Sequence, residues 1–206
     1  GQLEWRVVGP TLYRRLTRLD IPVELYAPFG TPHAELQPDY LGEPSHGQLV
    51  SSVPRIEPGW VALVDVLHRI ESEPHHRPIG RITFQKIAYF ATQIGIPTGL
   101  EYRRGSFGPY SPVLKAIETK LVNNGLIREE RLGRMLSVRV GSTYEDARRA
   151  YAEDLAKWDV KIDRIADLFL RMPTKDAEMA ATVHFAYQSL GEMSQKMPTE
   201  REVLDE

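Results

Sequence analysis

Two clusters in this 206-residue sequence carry side chains suited to gripping another molecule. The first is Tyr102-Arg103-Arg104-Gly-Ser-Phe107-Gly-Pro-Tyr110, where two guanidinium groups are interleaved with aromatic rings on a short turn. Guanidinium groups pair with phosphates or carboxylates, and rings stack on bases or fill pockets. Arg103, Arg104, Phe107 and Tyr110 therefore suit a nucleic acid or a protein partner equally, because arginine and tyrosine are enriched in both kinds of interface. Rings folded into the local core beside solvated arginines are the alternative. The second cluster is acidic. Asp159, Asp163 and Asp167 recur every four residues, which puts them on one face of a helix. Such a row can stand in for phosphates and occupy another protein's nucleic-acid groove. Lys157, Lys161, Arg164 and Arg171 lie within three or four positions, so ordinary helix salt bridges compete with that reading.

The sequence offers no assembled active site. It has no His-Glu-x-x-His, no phosphate loop and no Gly-x-Ser-x-Gly elbow. Gly105-Ser-Phe-Gly108 lacks a third glycine and runs into Pro109, so it reads as a tight turn. His75-His76 sits between prolines without a third ligand at metal spacing. His184 falls on an apolar stripe and reads as a packed or hydrogen-bonded histidine. The absence of cysteine excludes disulfides and thiolate chemistry and fits a reducing, cytoplasmic setting. No catalytic, cofactor or metal site is expected, and no apolar run is long enough to span a bilayer.

The formal charge of −2 conceals an asymmetry. Residues 1–58 balance at −2, residues 59–142 at +5 and residues 143–206 at −5. A basic middle and an acidic end can neutralise each other internally or present two faces to partners.

The elements that must position these residues follow from spacing. Residues 1–26 read as a helix, with Pro10 in its first turn and Leu12, Leu16 and Leu19 on one face, then a short strand through Val23 and Leu25. Residues 27–59 are rich in Pro and Gly and read as a linker. Residues 60–142 give three helices and a hairpin: an apolar helix from Trp60 to Ile70, a second capped by Thr83 and closed by Gly95, and a strand over Leu100 to Arg104. A third helix starts with a Ser111 cap and Pro112 and is stopped by Asn124-Gly125; the hairpin turns at Gly133. This is the order of a winged helix. Residues 143–195 read as a helical hairpin. Its first helix starts at a Thr143 capping box and carries Tyr151 to Met172, and Met179, Val183, Ala186, Leu190 and Met193 form the partner stripe. Residues 196–206 are a tail. The expected fold is mainly α with a small β component, a winged-helix-like module followed by a helical hairpin.

Three separated motifs carry a family resemblance: Ile79-Gly-Arg-Ile-Thr-Phe-Gln-Lys-Ile-Ala-Tyr-Phe90, Phe107-Gly-Pro-Tyr-Ser111 and Leu121-Val-Asn-Asn-Gly-Leu-Ile127. They resemble the C-terminal module of the DarG antitoxins and the wider SocA-like antitoxin domains. Residues 1–26 resemble the closing helix and strand of a macrodomain. The resemblance implies that DarT-like toxins, which use NAD to attach ADP-ribose to thymidine in single-stranded DNA, are the partner. It implies direct binding of the toxin, by acidic nucleic-acid mimicry, by the Arg103–Tyr110 turn or by both. The macrodomain's catalytic region would lie before Gly1, so this chain is expected to be no enzyme. A DNA-binding winged-helix regulator is the alternative, although the helix after Ser111 bears only Lys115 and Lys120 as cations.

Overall fold

The structure, a computed structural model, describes residues 5–16, 25–37, 41, 56–133, 135–194 and 197–205. The fold is mainly helical, at 63%, with two small antiparallel hairpins. In chain order the elements are α1 (Trp5–Leu16), a short 3-10 turn (His33–Leu36), α2 (Pro58–Ser72) and α3 (Arg81–Gln93). Then come β1 (Arg103–Gly105), β2 (Gly108–Tyr110), α4 (Pro112–Asn123), β3 (Ile127–Leu132) and β4 (Met135–Val140). The chain ends with α5 (Tyr144–Ala150), α6 (Ala152–Arg171), α7 (Thr174–Ser194) and α8 (Glu200–Asp205).

The core forms around α2. Nine of its residues are buried, Val61 through Leu67 without a break, so it is wrapped on all sides. Gly59 permits the close approach at its start, where a Cβ would lie 2.2 Å from the Pro97 carbonyl oxygen. Helix α6 lies against α2 and supplies Leu155, Ile162, Ile165, Ala166 and Phe169 to the same core that holds Phe84, Ile87, Leu114, Leu121 and Val138. The apolar stripe expected from Tyr151 to Met172 is thus the stripe that packs.

The hairpin β3–β4 pairs Ile127 with Val140 and Leu132 with Met135, turning at Gly133, whose φ of 60° is the left-handed conformation glycine tolerates. Strand β4 is tied to the approach to α3 by Val138 N–H donating to the Ile79 carbonyl at 2.8 Å. A three-residue hairpin, β1–β2, intervenes between α3 and α4, so the order is helix, helix, small hairpin, helix, hairpin. The expected strand from Leu100 begins only at Arg103.

Several local expectations are corrected. Thr83 does not cap α3: the helix starts at Arg81 after Gly80, and the Thr83 hydroxyl is turned inward to the Thr174 hydroxyl at 3.0 Å. Ser111 occupies the cap position of α4, but its side chain makes no capping bond. Thr143 spends its hydroxyl on the Asn124 carbonyl, at 2.7 Å, instead of on the helix start. The helix beginning there is two helices, α5 and α6, separated at Tyr151. In α1, Pro10 is interior, Leu12 is exposed, and Gly9 and Tyr13 are the buried positions. Leu19 and Val23 lie outside the described residues, and Leu25 and Tyr26 are not in a strand.

The stripe expected on α7 is out of phase. Met179 and Val183 are exposed, while Ala177 and Ala181 are buried. Small side chains let α7 approach α3 closely, and that proximity outweighs the larger apolar area of Met and Val.

Candidate functional site

Helices α3 and α7 meet along a polar seam. Positions 83, 86 and 89 of α3 are three apart and share one face. Thr83 meets Thr174, and the Tyr89 hydroxyl is 2.8 Å from Nδ1 of His184. Between them lies Lys86, 1% exposed, whose Nζ donates to the Pro109 carbonyl oxygen at 3.0 Å. Burial lowers the Lys86 pKa and Glu178 opposes the shift. Burial also lowers the His184 pKa, favouring the neutral ring that lies beside Tyr89 and Phe90.

This seam fixes the Arg103–Tyr110 turn. Gly108, at φ 83°, sits where a Cβ would lie 2.4 Å from the Thr182 hydroxyl, so only glycine lets the turn rest on α7. Pro109 is buried, while Arg103 and Arg104 are exposed. Phe107 is 64% exposed and Tyr110 is 36% exposed. The structure therefore brings the four residues of the first candidate cluster together on one hairpin. Both rings face solvent rather than the core, so the alternative in which they pack inside does not hold.

The acidic row has a different environment. Asp159 and Asp163 both hydrogen-bond Arg69 of α2, Asp159 at 2.6 Å. Arg69 also holds Asp65, at 2.8 Å, and Asp65 is 1% exposed and accepts the Tyr144 hydroxyl. Burial works against the Arg69 charge. The bonds to Asp159 and Asp163, with the Asp65 charge, more than offset it and hold its pKa above the ordinary value. Asp167 stands apart, paired with Arg171 at 2.7 Å. The row is thus partly neutralised by an arginine from another helix, although Asp159 and Asp163 keep 60% and 66% side-chain exposure. Arg69 was absent from the pairing inferred from sequence because its partners lie 90 and 94 positions away.

A third feature escaped sequence reasoning. An open groove runs between α3 and α4, walled by Ile82, Tyr110, Leu114 and Val122. At its mouth Arg81 clamps Glu129 through two bonds of 2.6 and 2.7 Å. Glu118 also lines it, and burial pushes its carboxyl up to about 7 against the pull of Arg81 and Lys115, with Glu129 adding to the rise. Nothing in the i, i+4 pattern of α4 signals this, because the walls come from separate elements.

Among the described residues no group of three or more potential ligands is placed to hold a metal ion, and no helix is long and apolar enough to cross a membrane.

Comparison with known proteins supplies the biological context. No family model matches the chain. A DNA ADP-ribosyl glycohydrolase of Thermus aquaticus is 27% identical over 197 residues, covering 93% of this chain and 50% of that protein. The chain is similar to DarG-like glycohydrolases. A DNA ADP-ribosyl transferase–DNA ADP-ribosyl glycohydrolase fusion protein of Thermosipho africanus is 46% identical over 43 residues, 20% of this chain and 11% of that protein. The chain thus spans about half the length of the first relative and a small part of the second. These matches correct the expectation that the chain is no enzyme: nearly all of it aligns with a protein named for glycohydrolase activity. The expectation rested on the resemblance, which placed the family's catalytic region upstream of this chain, together with the absence of familiar catalytic motifs.

Proposed function

We propose that this chain is part of a DarG-like DNA ADP-ribosyl glycohydrolase and serves it as the surface that binds a DarT-like DNA ADP-ribosyltransferase, covering the transferase's DNA site. The observation that carries this reading is the outward β1–β2 turn, whose backbone is anchored at Pro109 and Gly108. A backbone clamped by Lys86 and seated on α7 presents Phe107 and Tyr110 to solvent beside Arg103 and Arg104. Exposed aromatic and arginine side chains on a pre-ordered backbone lose little entropy on binding, which is the make-up of an interface hot spot. The similarity to a glycohydrolase, and to a protein in which a transferase and a glycohydrolase are fused, supports the choice of partner.

Asp159, Asp163 and Asp167 form a second contact in this proposal. Their role as stand-ins for phosphates is weakened by Arg69 and rests on the exposed carboxylate edges. Residues 60–142 act as a winged-helix-like module and residues 143–195 as a helical hairpin docked on it. Residues 1–26, 27–59 and 196–206 are treated as macrodomain-like closing segment, linker and tail. A cytoplasmic setting, without a membrane, belongs to the same reading.

The DNA-binding regulator is not adopted. Lys120 of α4 lies over the Trp60 ring, 5.4 Å from its centroid, and so is engaged away from any phosphate. That leaves Lys115 as the other cation on the candidate recognition helix.

The test is co-elution of this chain with the DarT-like transferase of the same source on a sizing column. A stoichiometric complex is expected, weakened by Phe107→Ala and Tyr110→Ala. Separate elution at micromolar concentrations would end the proposal.

A further inference from the structure

The α3–α7 seam holds the Arg103–Tyr110 turn at its start as well as at its end, and the contact at the start runs through His184. At the end of the turn, Lys86 donates to the Pro109 carbonyl, and Gly108 lies against Thr182 and the Glu178 carbonyl of α7. At the start stands Tyr102, the residue before β1. Its ring meets the Tyr89 ring edge to face, with centroids 5.0 Å apart, and the Tyr89 hydroxyl lies 2.8 Å from Nδ1 of His184. Ala177 and Ala181 are the buried hydrophobic residues of α7 among those described. Two methyl side chains remove little apolar area from water, so the docking of α7 leans on its polar pairs, Thr83 with Thr174 and Tyr89 with His184.

The ordinary pKa of an imidazole lies in the range where mild acid changes its charge. The groups around His184 do not take over that role. From α3 it faces Tyr89, with Phe90 beside it and Lys86 one turn earlier, where Glu178 attracts the Lys86 ammonium. Burial holds the Tyr89 and Tyr102 phenols well above their ordinary value. Strand β2 brings Tyr110 to α7, and α8 brings Glu200, Arg201 and Glu202; none of these bonds to the imidazole among the described residues. No charge offsets the burial of the ring.

We propose that His184 regulates the contact with the transferase: α7 stays on α3 and the turn stays ordered while the ring is neutral, and a proton on the ring parts the two helices and loosens the turn. The inference rests on the reading given under the proposed function and adds its regulation. Closed, the seam resists the proton because the charged ring is cut off from water. Open, the ring regains water and its ordinary value of 6.5. The open form therefore gains as pH falls below about 6.5. A loosened turn must be ordered again when Phe107 and Tyr110 bind, so affinity falls with it.

The test is hydrogen exchange of the full chain at pH 7.5 and pH 5.5, corrected for the intrinsic pH dependence of exchange and read by mass spectrometry over residues 102–111. Residues 58–72, the central helix, are the internal control. His184→Gln keeps a group that can bond the Tyr89 hydroxyl but takes up no proton, and Tyr89→Phe removes the hydroxyl. In wild type, protection of the turn should fall about fivefold between the two pH values while the control segment is unchanged. His184→Gln should show no such fall, and Tyr89→Phe should loosen the turn already at pH 7.5. Turn protection that ignores pH in wild type, or an equal fall in His184→Gln, would overturn the inference. Calorimetry with the DarT-like transferase of the same source then joins the seam to binding. Wild type should bind about fivefold more weakly at pH 5.5, and His184→Gln equally at both. If wild type binds equally at both pH values, the regulation is refuted and the proposed function stands. If it binds at neither, the proposed function fails and its regulation falls with it.

Discussion

The Lys86 ammonium, buried on α3, donates to the Pro109 carbonyl oxygen at 3.0 Å, and through that bond the interior of the protein helps to position the exposed β1–β2 turn. A lysine buried this completely is unusual and must be compensated. Replacing it with methionine keeps the volume but leaves the Pro109 carbonyl without its donor. Lys86→Met should lose about 1–3 kcal/mol of stability in urea unfolding. It should also weaken transferase binding, because Tyr110 follows Pro109 directly. Unchanged stability together with unchanged binding would show that the turn is held by other contacts.

The buried Asp65 joins Tyr144, Arg69 and Arg148 in one charged network. Tyr144→Phe deletes a hydrogen bond to a buried carboxylate and should cost about 1.5–3 kcal/mol. Asp159→Asn removes an exposed partner of Arg69 and should cost less than about 1 kcal/mol. Chemical denaturation of the two variants compares them directly, and equal losses would contradict the ranking.

Glu118 gives a pH signature in stability. Its carboxyl titrates at about 7 in the folded chain, above its ordinary 4.5, so the folded state holds a proton that the unfolded state has released. Stability therefore falls as pH rises from about 4.5 to about 7. Glu118→Gln should remove this component and be more stable than wild type at pH 8 by about 1–3 kcal/mol, with little difference at pH 4. Urea midpoints at the two pH values decide it. Parallel pH profiles for the two proteins would contradict the burial of this carboxyl.

His184 acts with the opposite sign. Its pKa is lowered by burial, so the unfolded chain takes up a proton near 6.5 that the folded chain resists. Stability is lost as pH falls below about 6.5, and His184→Gln should flatten that limb. A thermal melting series from pH 7.5 to pH 5 measures the slope; an unaltered slope in the variant would assign the acid loss to other groups.

Much of the fold could be read from periodicity, and the exceptions have a common origin. The stripe of α6 was visible because large apolar residues recur every three or four positions, and the β3–β4 hairpin because Gly133 separates two strand-like runs. The seam between α3 and α7 was hidden because its face is polar: Thr83, Lys86 and Tyr89 bury hydroxyl and ammonium groups that look solvent-facing until their partners 91, 23 and 95 positions away are known. On α7, hydrophobicity alone selected Met179 and Val183, whereas close helix approach selected Ala177 and Ala181. At the candidate site the turn was legible from its mixed arginine and aromatic composition. The groove was not, because Ile82, Tyr110 and Val122 become neighbours only when separate elements pack. The acidic row was legible as a row, and its neutralisation by Arg69 was not.

The most direct test of the central claim is competition at the transferase. Titration of this chain into the DarT-like transferase should give 1:1 binding, and a thymidine-containing single-stranded oligonucleotide should compete with it. A ternary complex of chain, transferase and oligonucleotide, or no heat of binding at all, would contradict the account.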